Sequence, residues 1–406
     1  MSFLGSIFTR TEREDPHLSY YILSVLQLDS PLSAKEVARK VDDCLLPHYP
    51  RWRSAIVEKE QAWLDLGNTV KAADHVFEVE GSIEDFVAGL MHKKLPLDAP
   101  PWRFYLLNNH MVAQVHHAIG DGISLVETLC EICNVRLVLP HPRTNSPTTG
   151  WIRFLYLCLV AFFHSAVVPL FWNYKDTKTC MSGYSSSSAV NVAFGTMDLQ
   201  LFKRNDQFTI NDVVTSAVAG GVRRFMISKN DTKFNRFHTF LAVNMRGKYL
   251  LGSGNKISYA IIPLPIHEPD SHVRLSKVHR VLNDLKHSPE VSLNYYILYC
   301  LFRFVGFAYV YRKANELYQR SSLVMTNVPG PTSSISFCDR KVIACHFSLA
   351  PQKNGFLVSI LSYNEKIHIA VSGDSDIVGK DGAKQLLQFI KDEDFSSAHV
   401  TNRTFG

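Results

Sequence analysis

The residues best placed to do chemistry lie in one short run, Val115-His116-His117-Ala118-Ile119-Gly120-Asp121-Gly122. Strand alternation puts Met111, Ala113, Val115 and His117 on one face, and Val112, Gln114 and His116 on the other. Gly120 and Gly122 would let the chain turn sharply from that strand into a helix. An imidazole at a strand end, beside a tight turn, can be held rigidly at a cleft between domains. Its ordinary pKa of ~6.5 suits it to take a proton from an alcohol or thiol attacking a carbonyl. Asp121 has two readings. It could orient the imidazole as in a triad, or pair with an arginine and fix the loop. Four residues through a glycine turn aim it away from His117, which favours the second. The plain alternative for His116-His117, two satisfied histidines at a strand end, loses ground because Gly-Asp-Gly follows.

The elements that position this run are also legible. Residues 102–107 and 110–117 read as strands joined at Asn108-Asn109, and asparagine tolerates the positive φ of a two-residue turn. Ile123, Val126, Leu129, Cys130 and Cys133 carry a helical spacing after the motif. Upstream, Ser33 to Glu36 forms a capping box that opens a helix with Val37, Val41, Cys44 and Leu45 on one face. Downstream, Thr209-Ile-Asn211-Asp212 starts a helix through Phe225. Strand-like runs occupy 237–243, 257–264, 342–349 and 356–363, and a last helix spans about 381–392. Strands and helices mix in both halves, so the fold class is α/β. The Pro/Ser/Thr-rich stretch 140–150 and the soft stretch 182–188 bracket a boundary. They divide the chain into residues 1–145, a linker 146–188, and 189–406.

A chain of 406 residues suits two domains, and 46% hydrophobic against 20% charged residues excludes wholesale disorder. A net charge of +6 makes no nucleic-acid footprint at this length. Eight cysteines do not frame a secreted disulfide scaffold, and Met1 to Asp15 does not read as a secretory signal. Cys130 and Cys133 form a CxxC on a helix with no second pair, which points to core packing and no metal. There is no nucleotide-type glycine loop and no Gly-x-Ser-x-Gly.

HHAIGDG resembles the HHxxxDG motif of the wax ester synthase/diacylglycerol acyltransferase family, acyl-CoA-dependent enzymes with a chloramphenicol-acetyltransferase-like fold. That motif alone is shared with condensation domains and plant alcohol acyltransferases, but the DFGWG motif of the latter is absent. Asn211-Asp212-Val213-Val214 with Ala217 to Arg224, Val243 to Arg246, Gly254-Asn255-Lys256 with Pro263-Leu264-Pro265, and Thr326 to Pro331 resemble further segments of the family, in order. The resemblance implies two domains, each a mixed sheet with flanking helices, and an active-site tunnel between them. It implies that His117 activates a long-chain alcohol or diacylglycerol hydroxyl against a fatty acyl-CoA, with acyl-CoA a co-substrate and no cofactor needed. Asn211 and the turn at Thr326-Asn327 become candidate oxyanion donors, Asp121 pairs with Arg246, His116 counts with His117, Asp121 and Asn211 as catalytic, and Gly122 and Asp212 support the site. A different acceptor (sterol, small alcohol or amine) and a non-catalytic lipid-binding protein are the rivals. The intact His117 and Asp121 speak against the second.

Residues 154–172 are apolar but for His164 and Ser165, with Arg153 and Lys175 at the flanks. The run approaches the length of a bilayer span, yet Pro169 and the need for both halves of one active site on one side favour a re-entrant or in-plane segment. The alternative is a buried crossover between domains. The aromatic stretch 295–311 reads as an interfacial or tunnel helix. These features imply a membrane or lipid-droplet surface with a cytosolic active site, at the endoplasmic reticulum in a eukaryote.

Overall fold

The computed structural model describes residues 1–137, 151–163, 176–185, 189–199, 207–246, 254–318 and 320–393. The linker stretch 140–150 and residues 164–172 of the apolar run lie outside the described residues. Helix α1 (Phe3–Glu14) leads into strand β1 (Tyr21–Leu28) and helix α2 (Ala34–Cys44). Ser33 caps α2 reciprocally: its hydroxyl accepts from the Glu36 N–H at 3.3 Å, and its own N–H donates to the Glu36 carboxylate at 2.9 Å. A hairpin of β2 (Ser54–Val57) and β3 (Ala62–Asp65), strand β4 (Val76–Glu78) and helix α3 (Ile83–Leu90) follow. Strands β5 (Trp102–Leu107) and β6 (His110–His116) pair antiparallel, with Asn108 at φ 53° in their turn. Helix α4 (Gly122–Ile132) starts inside the HHAIGDG run.

The second half contributes α5 (Trp151–Phe162), β7 (Val190–Asp198), α6 (Ile210–Ser228), β8 (His238–Asn244), β9 (Ile257–Pro263), α7 (Ser271–His287), α8 (Glu290–Cys300) and α9 (Phe307–Tyr318). Then come β10 (Leu323–Pro329), β11 (Ser336–Phe337), β12 (Arg340–Ser348), β13 (Phe356–Tyr363), β14 (Lys366–Asp374) and α10 (Gly382–Lys391). One mixed sheet runs β11-β12-β1-β6-β5-β4 and the other β7-β14-β13-β10-β8-β9. Strand β12 crosses back to pair with β1, with Leu23 opposite Ser348. A division of the chain between residues 146 and 188 therefore parts its halves but not its sheets, because residues 336–348 complete the first one. Helix α6 packs against α10 through Gly221. A Cβ there would lie 2.6 Å from Ile390 Cγ1, so no side chain fits.

Thr326 and Asn327 are not in a turn. They sit inside β10, an inner strand parallel to both β8 and β13. Both partners are distant in the chain, so the local Asn-Val-Pro-Gly signal hid the strand. The strand ends at Pro329, the Gly330 N–H still donates to the Ser362 carbonyl at 2.9 Å, and the chain bends only at Thr332 and Ser333.

Candidate active site

His117 follows β6, and its backbone N–H donates to the Tyr20 carbonyl at 2.7 Å. Asn255, from the other lobe, clamps it. The Asn255 amide Nδ2 donates to the His117 carbonyl at 2.7 Å, and its Oδ1 lies 2.9 Å from His117 Nδ1. A backbone carbonyl only accepts, so the amide orientation is set and Nδ1 carries the ring proton. Nε2 is left as the basic nitrogen. Burial holds the His117 pKa below the usual histidine value, outweighing the nearby Asp121 carboxylate that raises it. The Phe8 ring sits 4.6 Å from the imidazole.

Asp121 caps α4 through the Ser124 N–H at 3.1 Å. Its other oxygen accepts from Arg246 Nη1 at 2.7 Å and from the Lys256 N–H at 2.8 Å. The arginine is 8% and the aspartate 1% exposed, so the pair is a buried tie between lobes. Ser124 Oγ adds a bond of 2.7 Å to the Gly254 carbonyl across the same seam. The glycines of the motif act otherwise than as a φ-driven turn: neither Gly120 nor Gly122 has positive φ. Gly122 is needed for close approach, since a Cβ there would meet Val328 Cγ2 at 2.8 Å.

His116 points the other way. Its Nδ1 accepts the Ala118 N–H at 3.0 Å, so Nε2 carries the proton and faces Glu12 Oε2 at 3.3 Å. Both side chains are buried. Asn211 and Asn327 are paired with each other, Asn327 Nδ2 donating to Asn211 Oδ1 at 3.0 Å. Asp212 closes the capping box of α6 with Thr209 and lies 2.9 Å from His279 Nδ1. Cys130 and Cys133 are free thiols, and among the described residues no group of three His, Cys, Asp or Glu could hold a metal.

His117 opens on an apolar chamber at the junction of the lobes. Its walls come from α1 (Leu4, Ile7, Phe8), α8 (Tyr295, Leu298) and α9 (Val310, Leu317), with Thr326 of β10. Of the three oxyanion candidates, Thr326 is on the chamber wall, and Asn211 and Asn327 are not among the lining residues. Two contributors carried little local signal. Asn255 was visible only as part of the Gly254-Asn255-Lys256 segment, and α1 with its Glu12 became significant only once folded against His116.

Two mixed sheets with a strand-end histidine between them define the two-lobe, chloramphenicol-acetyltransferase-like class. The fold matches a wax ester synthase/diacylglycerol acyltransferase from Marinobacter aquaeolei VT8 over 96% of this chain and 97% of that one, with a TM-score of 0.64 at 14% identity. It also matches the starter condensation domain of rhizomide synthetase, over 96% and 92% of the two chains, with a TM-score of 0.61 at 11% identity. In sequence, wax ester synthase/diacylglycerol acyltransferase 5 of Arabidopsis thaliana is 24% identical over 450 residues, covering 89% of this chain and 87% of the relative. Number 2 of the same plant is 21% identical, covering 89% of each. Residues 253–393 match the family model of the WS/DGAT C-terminal domain. The resemblance carried by the motifs is borne out: this chain is similar to wax ester synthase/diacylglycerol acyltransferases in sequence and in fold.

Proposed function

We propose that the protein moves a fatty acyl group from acyl-CoA to the hydroxyl of a long-chain alcohol or diacylglycerol. The observation that carries this reading is a buried, neutral His117 whose Nδ1 proton is fixed by Asn255 and whose ring opens on a large apolar chamber. Nε2 takes the hydroxyl proton as the oxygen attacks the thioester carbonyl carbon. The tetrahedral oxyanion needs a donor, and the Thr326 hydroxyl on the chamber wall supplies a candidate. Collapse breaks the C–S bond, and the imidazolium returns its proton to the CoA sulfur. Purified protein given labelled palmitoyl-CoA with fatty alcohols, diacylglycerol, sterol and water in parallel should yield ester with the first two. Transfer to sterol alone would move the acceptor class, and no transfer to any acceptor would overturn the reading.

Asn255→Ala should lower kcat/KM roughly tenfold, the scale of one lost buried hydrogen bond to a reacting group. Asn255→Asp places a carboxylate beside the ring, which favours imidazolium, so the acid limb of the rate profile should move to higher pH. A limb that stays in place would show that Asn255 does not touch the working imidazole.

The outer surface fits a lipid-soluble acceptor. No described helix is long and apolar enough to cross a membrane. On α5, Trp151, Ile152, Leu155, Tyr156, Leu159 and Phe162 form one exposed apolar stripe, while Leu157 and Ala161 are buried beneath it. Arg153 pairs with Asp284 and holds α5 to α7. Helix α8 presents Tyr295 and Leu298 to the chamber and Tyr296 and Tyr299 outward, and Phe304 beyond it is 80% exposed. The exposed face thus backs onto the chamber wall. It is suited to lie in the plane of a lipid surface and to admit the acceptor from it. Sedimentation with phosphatidylcholine vesicles should retain the wild type and lose most of a Leu155→Glu/Leu159→Glu variant. Equal sedimentation of the two would remove α5 from the lipid contact.

A further inference from the structure

One buried carboxylate braces the backbone on both sides of His117. Glu12 lies in the last turn of α1 and is 7% exposed. Its Oε1 accepts the Tyr20 N–H, and its Oε2 accepts from His116 Nε2 at 3.3 Å. Each partner passes the restraint on. The Tyr20 carbonyl accepts the His117 N–H at 2.7 Å, and His116 Nδ1 accepts the Ala118 N–H at 3.0 Å. The N–H groups before and after the His117 α-carbon therefore trace back to Glu12, and the His117 carbonyl is held by Asn255 at 2.7 Å. Phe8, one turn earlier on the same face of α1, sets its ring 4.6 Å from the His117 imidazole and 4.8 Å from the Tyr20 ring. The Lys94 ammonium donates to the Glu12 carbonyl at 2.8 Å, which ties the end of α1 to the segment after α3.

This arrangement requires a carboxylate. Ionised, it accepts at both oxygens and donates at neither, so it meets two N–H groups at once. Glutamine has nearly the same shape but only one oxygen, with an NH2 in place of the other. The Tyr20 N–H is a backbone donor that cannot change its role, so it takes the oxygen and leaves the NH2 facing His116. The imidazole can accept from that NH2 only by moving its proton from Nε2 to Nδ1. Nδ1–H then opposes the Ala118 N–H, and the bond beside His117 is lost.

We propose that Glu12 is a positioning residue of the acyl-transfer site: it fixes the Nε2–H tautomer of His116, which holds the Ala118 N–H and with it the backbone that aims His117 into the chamber. The proposal rests on the acyltransferase reading given above and deepens it. Phe8 and Thr11 of α1 line the chamber, and Glu12 is not among the lining residues. It acts through His116, so its replacement should slow the chemical step and leave substrate binding alone.

Glu12→Gln and His116→Asn test this, singly and together, in proteins whose thermal unfolding shows them folded. With palmitoyl-CoA and hexadecanol, Glu12→Gln should lower kcat roughly fivefold, the scale of one net hydrogen bond, with KM unchanged. Proton–nitrogen correlation on protein carrying isotope-labelled histidine reads the tautomer directly, the His116 signals being those missing from His116→Asn. The proton should sit on Nε2 in the wild type and on Nδ1 in Glu12→Gln. Asparagine accepts a backbone N–H two residues on and has no tautomer to set, so adding Glu12→Gln to His116→Asn should cost little further rate. An unchanged kcat, a His116 tautomer unmoved by Glu12→Gln, or a loss of kcat just as large in the His116→Asn background overturns the positioning role. A rise in KM alone also overturns it, by placing Glu12 in substrate binding. A wild type that transfers nothing to any alcohol, while the tautomer still switches in Glu12→Gln, overturns the acyltransferase reading alone.

Discussion

His117→Ala is expected to lower acyl transfer by roughly 10²–10⁴-fold, the usual contribution of a positioned general base, with the protein still folded. Three observations single this residue out. Its Nδ1 proton is committed to Asn255, its ring borders the chamber, and burial keeps it neutral. The neighbouring His116→Ala should cost much less activity. That ring is bonded to Ala118 and Glu12 on the opposite face of the strand, and its loss takes from the buried Glu12 carboxylate one of its partners, leaving the Tyr20 N–H on the other oxygen. The His116 variant should therefore show itself mainly in stability. A rate profile gives a second readout. The neutral imidazole is the working form and its pKa is depressed, so kcat/KM should stay flat through neutrality. It should fall only as pH drops below the ordinary histidine range of ~6.5. An indispensable His116 beside a dispensable His117 would mean that the opposite face of the strand meets the substrate.

The second large effect is on folding. Asp121→Ala should destabilise by about 3–5 kcal/mol, because it leaves the Arg246 guanidinium buried without its counter-charge. It also strands the N–H groups of Ser124 and Lys256, which Asp121 serves at 3.1 and 2.8 Å. Denaturant unfolding of Asp121→Ala, Arg246→Met and the double variant would test the pairing. The double variant should lose less than the sum of the singles, since removing both charges leaves neither orphaned. Strict additivity would show that the two do not act as a pair. Removing Asp121 should also carry the acid limb of activity further down in pH, because its charge is what raises the His117 pKa against burial. The carboxylate's bonds to Arg246, Lys256 and Ser124 make it a tie between lobes, which accounts for the loop-fixing reading of the motif over the triad.

What the amino-acid sequence determined by itself was whatever rests on neighbours in the chain. The capping box at Ser33, the hairpin turn at Asn108, the helix opened at Thr209 and the opposed faces of His116 and His117 all follow from periods of two or three to four residues and from side chains bonding backbone nearby. Tertiary structure alone decided the rest. Thr326 and Asn327 read locally as a turn but became an inner strand, because β8 and β13 satisfy its backbone from both sides. Strand β12 returns to the first sheet, so the two halves of the chain do not each own a sheet. Asn255 became the clamp on His117, and Glu12 the partner of His116, only when distant segments met. Such pairings are set by register and burial between segments far apart in the chain, and no window along the sequence contains both partners.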